Sequence, residues 1–485
     1  MPIRTRPLLG SDRSTSTSGG VYGSTTATTF IRDLMLGNDS VDIITLGDSN
    51  NMRNDYGYNS GWHRALGYYC GSTMYASPLY SGANYLASSP GGNLRGDYGW
   101  GTGTYQNWVA DNTGGRVGTV RLLALAAAGG DTNATDIKNY LGFDSTNYTN
   151  DSTTRLPRTH GWQWVGAFVA SGVTYSSFAS DNFIELRTAS PLNYGTGSGA
   201  TALRWRVVYG TFATGSGQFK MRVRNSDGST TDGLTYTTNT GALGYATASL
   251  NFSTASTSLL NVRGFWDGFS ATVADQAAGP VAILWQGFAR QTGKGHAVSS
   301  LIGHSGMDTT GIADRVEYMD KLLDCYLKEI IDRQKLAGGS GRAIVFLNSG
   351  INDSSPSTTW TPAASRIVAR FQNRWVVAGG SLANLAFVFT VTHPTTAQGS
   401  WDAGRAAVAT AANTWGSGNI SNNVTVVDLA VNYPGYRILN GVSGAGGNLY
   451  DGAGAAQAHL STALTQLNGY DAMVGDIVSS LLASY

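Results

Sequence analysis

The sequence predicts an α/β protein, a parallel sheet with helices on both faces, interrupted once by a long β-rich insertion. Three observations predict it. After Gln291, apolar strand-like runs alternate with segments of helical period. One more run of the first kind, "VDIITLG" from Val41, lies far upstream. Between them, from about Ser77 to Gln291, short alternating runs are separated by Gly, Ser, Asn and Asp, as in a β-sandwich. The expected organisation is a polar lead-in over 1–38, a discontinuous α/β domain over 39–76 and 292–485, and an inserted β-sandwich-like domain over 77–291. A chain of 485 residues is long enough for two such domains.

The elements follow in order. Residues up to 38 are rich in Ser, Thr and Gly and read as extended or poorly ordered chain. Val41, Ile43, Ile44 and Leu46 make a buried strand that runs straight into Gly-Asp-Ser-Asn. "GWHRALGYYCG" reads as a short helix with Trp62, Leu66 and Tyr69 on one face. In the insertion, "LRWRVVY" alternates Leu203, Trp205 and Val207 with Arg204 and Arg206. "FKMRVR" alternates in the same way and leads into "NSDGS", a hairpin turn. "WQWVGAFV", "NFIELR" and "PVAILWQGFA" are further strands.

The helical period returns with Ile312, Val316, Met319, Leu323, Tyr326, Leu327, Ile330 and Ile331, one apolar stripe that Asp308 or Thr310 caps. "RAIVFLNSG", "LAFVFTVTHP" and "NVTVVDLAV" are strands. "PAASRIVARFQNRWVVAGG" between the first two is a helix stopped by glycines, and the tail from Leu460 is mostly helical.

Composition narrows the classes of function. The net charge is +1 and no basic block occurs, so neither nucleic acid nor an anionic membrane surface is an expected partner. No run of about 18 apolar residues is present to span a membrane. "MPIRTRPLLGSDRSTSTSGG" lacks an apolar segment of signal-peptide length. A composition suited to an exterior surface, without a secretion signal, fits a virion component released by lysis. Cys70 and Cys325 are expected as two separate thiols, and no Cys or His spacing suggests a metal. No cofactor is expected.

Open parallel sheets bind ligands beyond the carboxyl ends of their strands. There the sequence has Gly47-Asp48-Ser49-Asn50, Gly303-His304-Ser305-Gly306, Gly350-Ile351-Asn352-Asp353 and Thr392-His393-Pro394, with "YDGAGAAQAHLS" near the C-terminus. Ser49, Gly306, Asn352 and His459 stand in the order of the four blocks of the SGNH hydrolases, or GDSL-type esterases, and the chain resembles that family over about 40–70 and 293–485. The resemblance implies a flavodoxin-like three-layer fold and a serine esterase without metal or cofactor. It implies Ser49 as nucleophile, His459 as its base and Asp451 as the acid that orients the imidazole. The oxyanion hole is then the backbone N–H groups of Ser49 and Gly306 with the side-chain amide of Asn352.

One departure stands out. The family's Asp lies three residues before the His, where this chain has Ala456; Asp451 is eight residues upstream and also reads as a plain Asp-Gly turn. Asn50, His304 and His393 are candidates for the pocket rim, although both histidines also fit ordinary loop or strand-end positions. The expected reaction is hydrolysis of small acyl esters, O-acetyl groups of a polysaccharide by analogy with the family. The alternative is a virion or surface attachment protein, assembled as an oligomer or within a particle, on an SGNH scaffold with little catalysis.

Overall fold

The computed structural model describes residues 20–47, 62, 66, 75–77, 109–110, 120–122, 168–170, 184–187, 201–213, 218–224, 230–254, 263–267, 283–303, 308–318, 320–349, 353, 356–391, 400–428 and 469–484. Its centre is a seven-stranded sheet. In chain order the strands are β1 (Val21–Gly23), β2 (Val41–Gly47), β3 (Tyr75–Ser77), β4 (His296–Gly303), β5 (Ala343–Ser349), β6 (Leu385–Val391) and β7 (Val424–Val427). The helices are α1 (Thr26–Met35), α2 (Thr309–Tyr318), α3 (Asp320–Leu336), α4 (Pro356–Val377), α5 (Ser400–Gly418) and α6 (Gly469–Ala483).

The strands lie in the order β1-β7-β6-β5-β2-β4-β3. Every neighbouring pair is parallel except β1 with β7. Taken by themselves, β4, β2, β5, β6 and β7 have the 2-1-3-4-5 order of doubly wound sheets. Strand order therefore reverses between β2 and β5.

Both faces of the sheet are buried, which is why its strands are nearly continuous apolar runs. Val41, Ile43, Ile344, Phe346, Ala386, Val388 and Val427 pack with α1, α6, Trp62 and Leu66. Ile44, Leu46, Val345, Leu347, Phe387, Phe389, Val424 and Val426 pack with α2, α3, α4 and α5. The alternation along each strand thus divides two cores rather than core from solvent. Trp360, Phe389 and Trp415 meet edge to face at 5.1–5.9 Å in the second core. Trp62 and Leu66 are both helical and buried, as their spacing predicts; Tyr69 lies outside the described residues.

Two expectations change. The lead-in contains β1 and α1, with Ala27, Phe30, Ile31 and Leu34 buried at helical spacing. Threonines on the other positions of α1 disguise that stripe, because they are weak helix formers and the apolar face carries the helix. The stripe from Ile312 to Ile331 spans two helices, α2 and α3, and Met319 between them lies outside the described residues.

The described strands from Val109 to Arg290 form three antiparallel sheets apart from the central one. Thr201–Thr211 is the middle of a three-stranded sheet, between Gly244–Thr254 and Ile283–Arg290. On one face, Val208 and Phe212 join the α2–α5 core. On the other, Tyr209 meets Tyr236 of a five-stranded sheet at 6.2 Å, and the Tyr236 hydroxyl bonds the backbone of Ser249. The sequence pattern puts Arg206 on a polar face, but it is buried and its guanidinium grips Glu329 of α3 through Nε–Oε1 at 2.5 Å and Nη2–Oε2 at 2.7 Å.

Candidate functional site

Five parallel strands, β2 and β4–β7, end on one edge of the sheet. Near this edge paired residues fall in a row across the sheet: Gly303 beside Gly47, Gly47 beside Asn348, Asn348 beside Thr390, and Thr390 beside Val427. Gly47 has φ 153°, a conformation in which a side chain is strained. This is one physical reason the apolar run of β2 ends on glycine. Next to it the row is polar: the Thr390 hydroxyl donates to Asn348 Oδ1 at 2.8 Å, with both residues buried.

Helix α2 lies against β2, its Ile312, Ala313 and Val316 in the same core as Ile44 and Leu46. Its start is held twice. Asp308 Oδ1 accepts from the Gly311 N–H at 2.8 Å, so of the two expected caps it is Asp308 that bonds the first turn. Asp353 then reaches in from beyond β5: its carboxylate accepts from the Thr309 N–H at 3.3 and 3.4 Å and from the Thr309 hydroxyl at 3.0 Å. The far end is tied to α4, where Arg366 pairs with Asp314 at 2.6 Å and with Glu317, and Arg370 Nη2 donates to the Glu317 carbonyl at 2.6 Å. Arg366 holds the Glu317 carboxyl below its ordinary range.

The Asp353–Thr309 contact joins segments that follow β5 and β4, and β2 lies between those strands. Two inter-strand steps are roughly 10 Å. The contact therefore ties together segments that leave the strands on either side of β2, and strand order reverses between β2 and β5, where such sheets usually hold a ligand.

The sequence-predicted site residues Ser49, Asn50, His304, Gly306, Asn352, His393, Asp451 and His459 all lie outside the described residues. Ser49 is two residues past β2, His304 and Gly306 are one and three past β4, Asn352 is three past β5, and His393 is two past β6. Asp451 and His459 fall between β7 and α6. Sequence reasoning passed over Asp353, although its signal was present as the acid that closes Gly-Ile-Asn-Asp. It also passed over Asn348, a polar residue closing an apolar strand.

At the opposite end of the sheet, where β2 begins, the strand carries a buried acid, Asp42, which takes a hydrogen bond from Arg333 of α3 and another from Gln334 at 2.7 Å. Burial pushes its carboxyl up, and Arg333 and Gln334 pull it back. Burial also raises Glu329, against the pull of Arg206 and Arg333. With Arg333 Nε 3.8 Å from Glu329, the charges alternate from β2 through α3 to the three-stranded sheet. Cys325 on α3 is a buried thiol whose pKa burial drives far up, so it stays protonated. Among the described residues no group of His, Cys, Asp and Glu gathers as a metal site would, and no helix is long and apolar enough to cross a membrane.

No family model and no curated protein matches the sequence. Among solved structures the chain is similar to a peptidoglycan O-acetylesterase at 9% identity and a TM-score of 0.43, over 96% of this chain and 99% of that one. It is similar to an acetyl xylan esterase from the rumen bacterium Butyrivibrio proteoclasticus at 9% identity and a TM-score of 0.17, over 51% and 81%. A third is an arabinose-bound α-L-arabinofuranosidase, at 10% identity and a TM-score of 0.16, over 47% and 51%.

Proposed function

We propose that the chain is a serine esterase of SGNH type that removes small acyl groups, O-acetyl groups of a polysaccharide in particular. The observation that carries this reading is the position of the motifs on the sheet. The Gly-Asp-Ser-Asn and Gly-Ile-Asn-Asp blocks begin at the ends of β2 and β5, the two strands flanking the order reversal. Chain length alone keeps Ser49 within roughly 7 Å of Gly47, Cα to Cα.

The chemistry follows from those residue types. His459 takes the Ser49 proton as the hydroxyl oxygen attacks the ester carbonyl, and Asp451 holds the imidazole and stabilises its charged form. The Ser49 and Gly306 N–H groups and the Asn352 amide receive the developing oxyanion. The C–O bond to the sugar then breaks, and His459 returns the proton to the departing sugar oxygen. Water, deprotonated by His459, attacks the acyl-serine and releases the acid. The strands from Val109 to Arg290 belong in this reading to an inserted domain over 77–291 that contributes to recognition of the glycan.

The test is release of acetate from a short nitrophenyl ester and from a panel of acetylated polysaccharides. The parent turns over and Ser49→Ala loses about 10⁴-fold or more. If parent and variant are equally inert on every ester, the esterase reading is wrong. The eight-residue Asp451–His459 spacing then favours an attachment protein built on the same scaffold.

A further inference from the structure

The geometry points to Asp353 as a positioning residue for the oxyanion hole, an assignment that rests on the esterase reading. The two oxyanion donors besides Ser49 sit in different segments: Gly306 precedes α2 by three residues, and Asn352 immediately precedes Asp353. The sheet sets the ends of β4 and β5 two strand steps apart, with β2 between them, but makes no direct tie between the segments that follow them. The Asp353 carboxylate supplies the tie. It holds the hydroxyl of Thr309 at 3.0 Å and accepts the Thr309 N–H at 3.3 Å. A charged acceptor on a helix N-terminal N–H is favoured there by the helix dipole as well as by hydrogen bonding.

The platform it grips is itself anchored. Helix α2 is packed on β2, and Arg366 and Arg370 of α4 hold its other end. Through this contact the residue next to Asn352 in the chain is held to the residue three after Gly306. Oxyanion stabilisation depends on donors set in advance at the place where charge develops, and misplacement by about 1 Å can cost roughly 10²-fold. In this assignment Asp353 acts through the segments of Asn352 and Gly306 rather than on the substrate. Its effect falls on kcat and leaves ground-state binding alone.

The experiment compares parent, Asp353→Ala, Asp353→Asn, Thr309→Val and Thr309→Ser on a short nitrophenyl ester. Each kcat is taken per Ser49 that can be titrated with a phosphonate, which removes misfolded protein from the count. Asp353→Ala is expected to lower kcat about 30–100-fold with KM within about twofold. Asp353→Asn and Thr309→Val, which each keep part of the contact, fall between it and the parent, and Thr309→Ser stays near the parent. A cap that served stability alone would lower the melting temperature and leave kcat per titrated serine unchanged. A parent-like kcat in Asp353→Ala overturns the assignment. If the parent itself neither turns over ester nor takes up phosphonate at Ser49, the esterase reading has failed and the assignment falls with it.

Discussion

Strand β2 of the central sheet and the strand Thr201–Thr211 make an instructive pair. Both are covered on both faces, and each carries one buried charge: Asp42 in the first, Arg206 in the second. Both charges are met by the same helix, through Arg333 and Glu329 of α3. They differ in their depth and in their company. Asp42 has a guanidinium and an amide on it and no exposure to speak of. Arg206 is slightly exposed and rests on Glu329 by a two-pronged contact. A charge is admitted to a packed interior when another segment brings its partner, and how much it then matters depends on what else surrounds it.

Three substitutions break that comparison in decreasing order. Asp42→Ala takes from the buried Arg333 guanidinium its hydrogen-bonded carboxylate, leaving Glu329 at 3.8 Å, and is expected to cost about 3–5 kcal/mol, read as a shift in the urea midpoint. A loss under about 1 kcal/mol would mean that Arg333 is satisfied without Asp42.

Arg206→Met keeps most of the side-chain volume but removes one cation from Glu329, for an expected loss of about 2 kcal/mol near neutral pH. Glu329 already binds its proton more tightly folded than unfolded, because burial raises it above the ordinary carboxylate value of 4.5. A carboxyl raised by folding favours the native state at low pH, and that advantage is lost as pH rises from its unfolded value through its folded one. Without Arg206 the carboxyl rises further, so the deficit of the variant relative to the parent grows with pH over that window and shrinks on acidification. Urea melts of both proteins across the carboxylate range check the sign; a deficit that grew as pH fell would refute the account.

Lys328→Ala tests the outer face of the same helix. Lys328 and Asp332 pair at 2.7 Å, but their side chains are 48% and 39% exposed. Solvent screens such a pair, and a change of a few tenths of a kcal/mol is expected. A loss approaching that of Arg206→Met would show that position on the helix, and not burial, sets the scale.

Much of this molecule was legible beforehand. β2, β4, β5, β6 and β7 all stand where runs such as "VDIITLG" and "AIVFLNS" announce them, since a strand buried on both faces needs apolar residues at nearly every position. The strand ends at Gly47 and Gly303 were read from the same runs, that of β5 was read at Gly350, one residue past Ser349, and Gly47 has the backbone angle that glycine suits. α1 was not legible, because its buried apolar residues are spaced among threonines, one of which, Thr28, is itself buried. The role of Asp353 was not legible either, because its partner Thr309 is 44 residues away.

The sequence by itself determined the kinds of element, their order along the chain and the motifs at the strand ends, because these depend on local periodicity and on a few residues with special backbone or chemical behaviour. Only the tertiary structure decided that β2 lies between β4 and β5, that Asp353 meets Thr309, and that Arg206 faces Glu329 rather than water. The physical reason is range. Periodicity records which positions avoid water, whereas a hydrogen bond or ion pair between distant segments is fixed only when packing brings them together, and neither residue carries a local mark of the other.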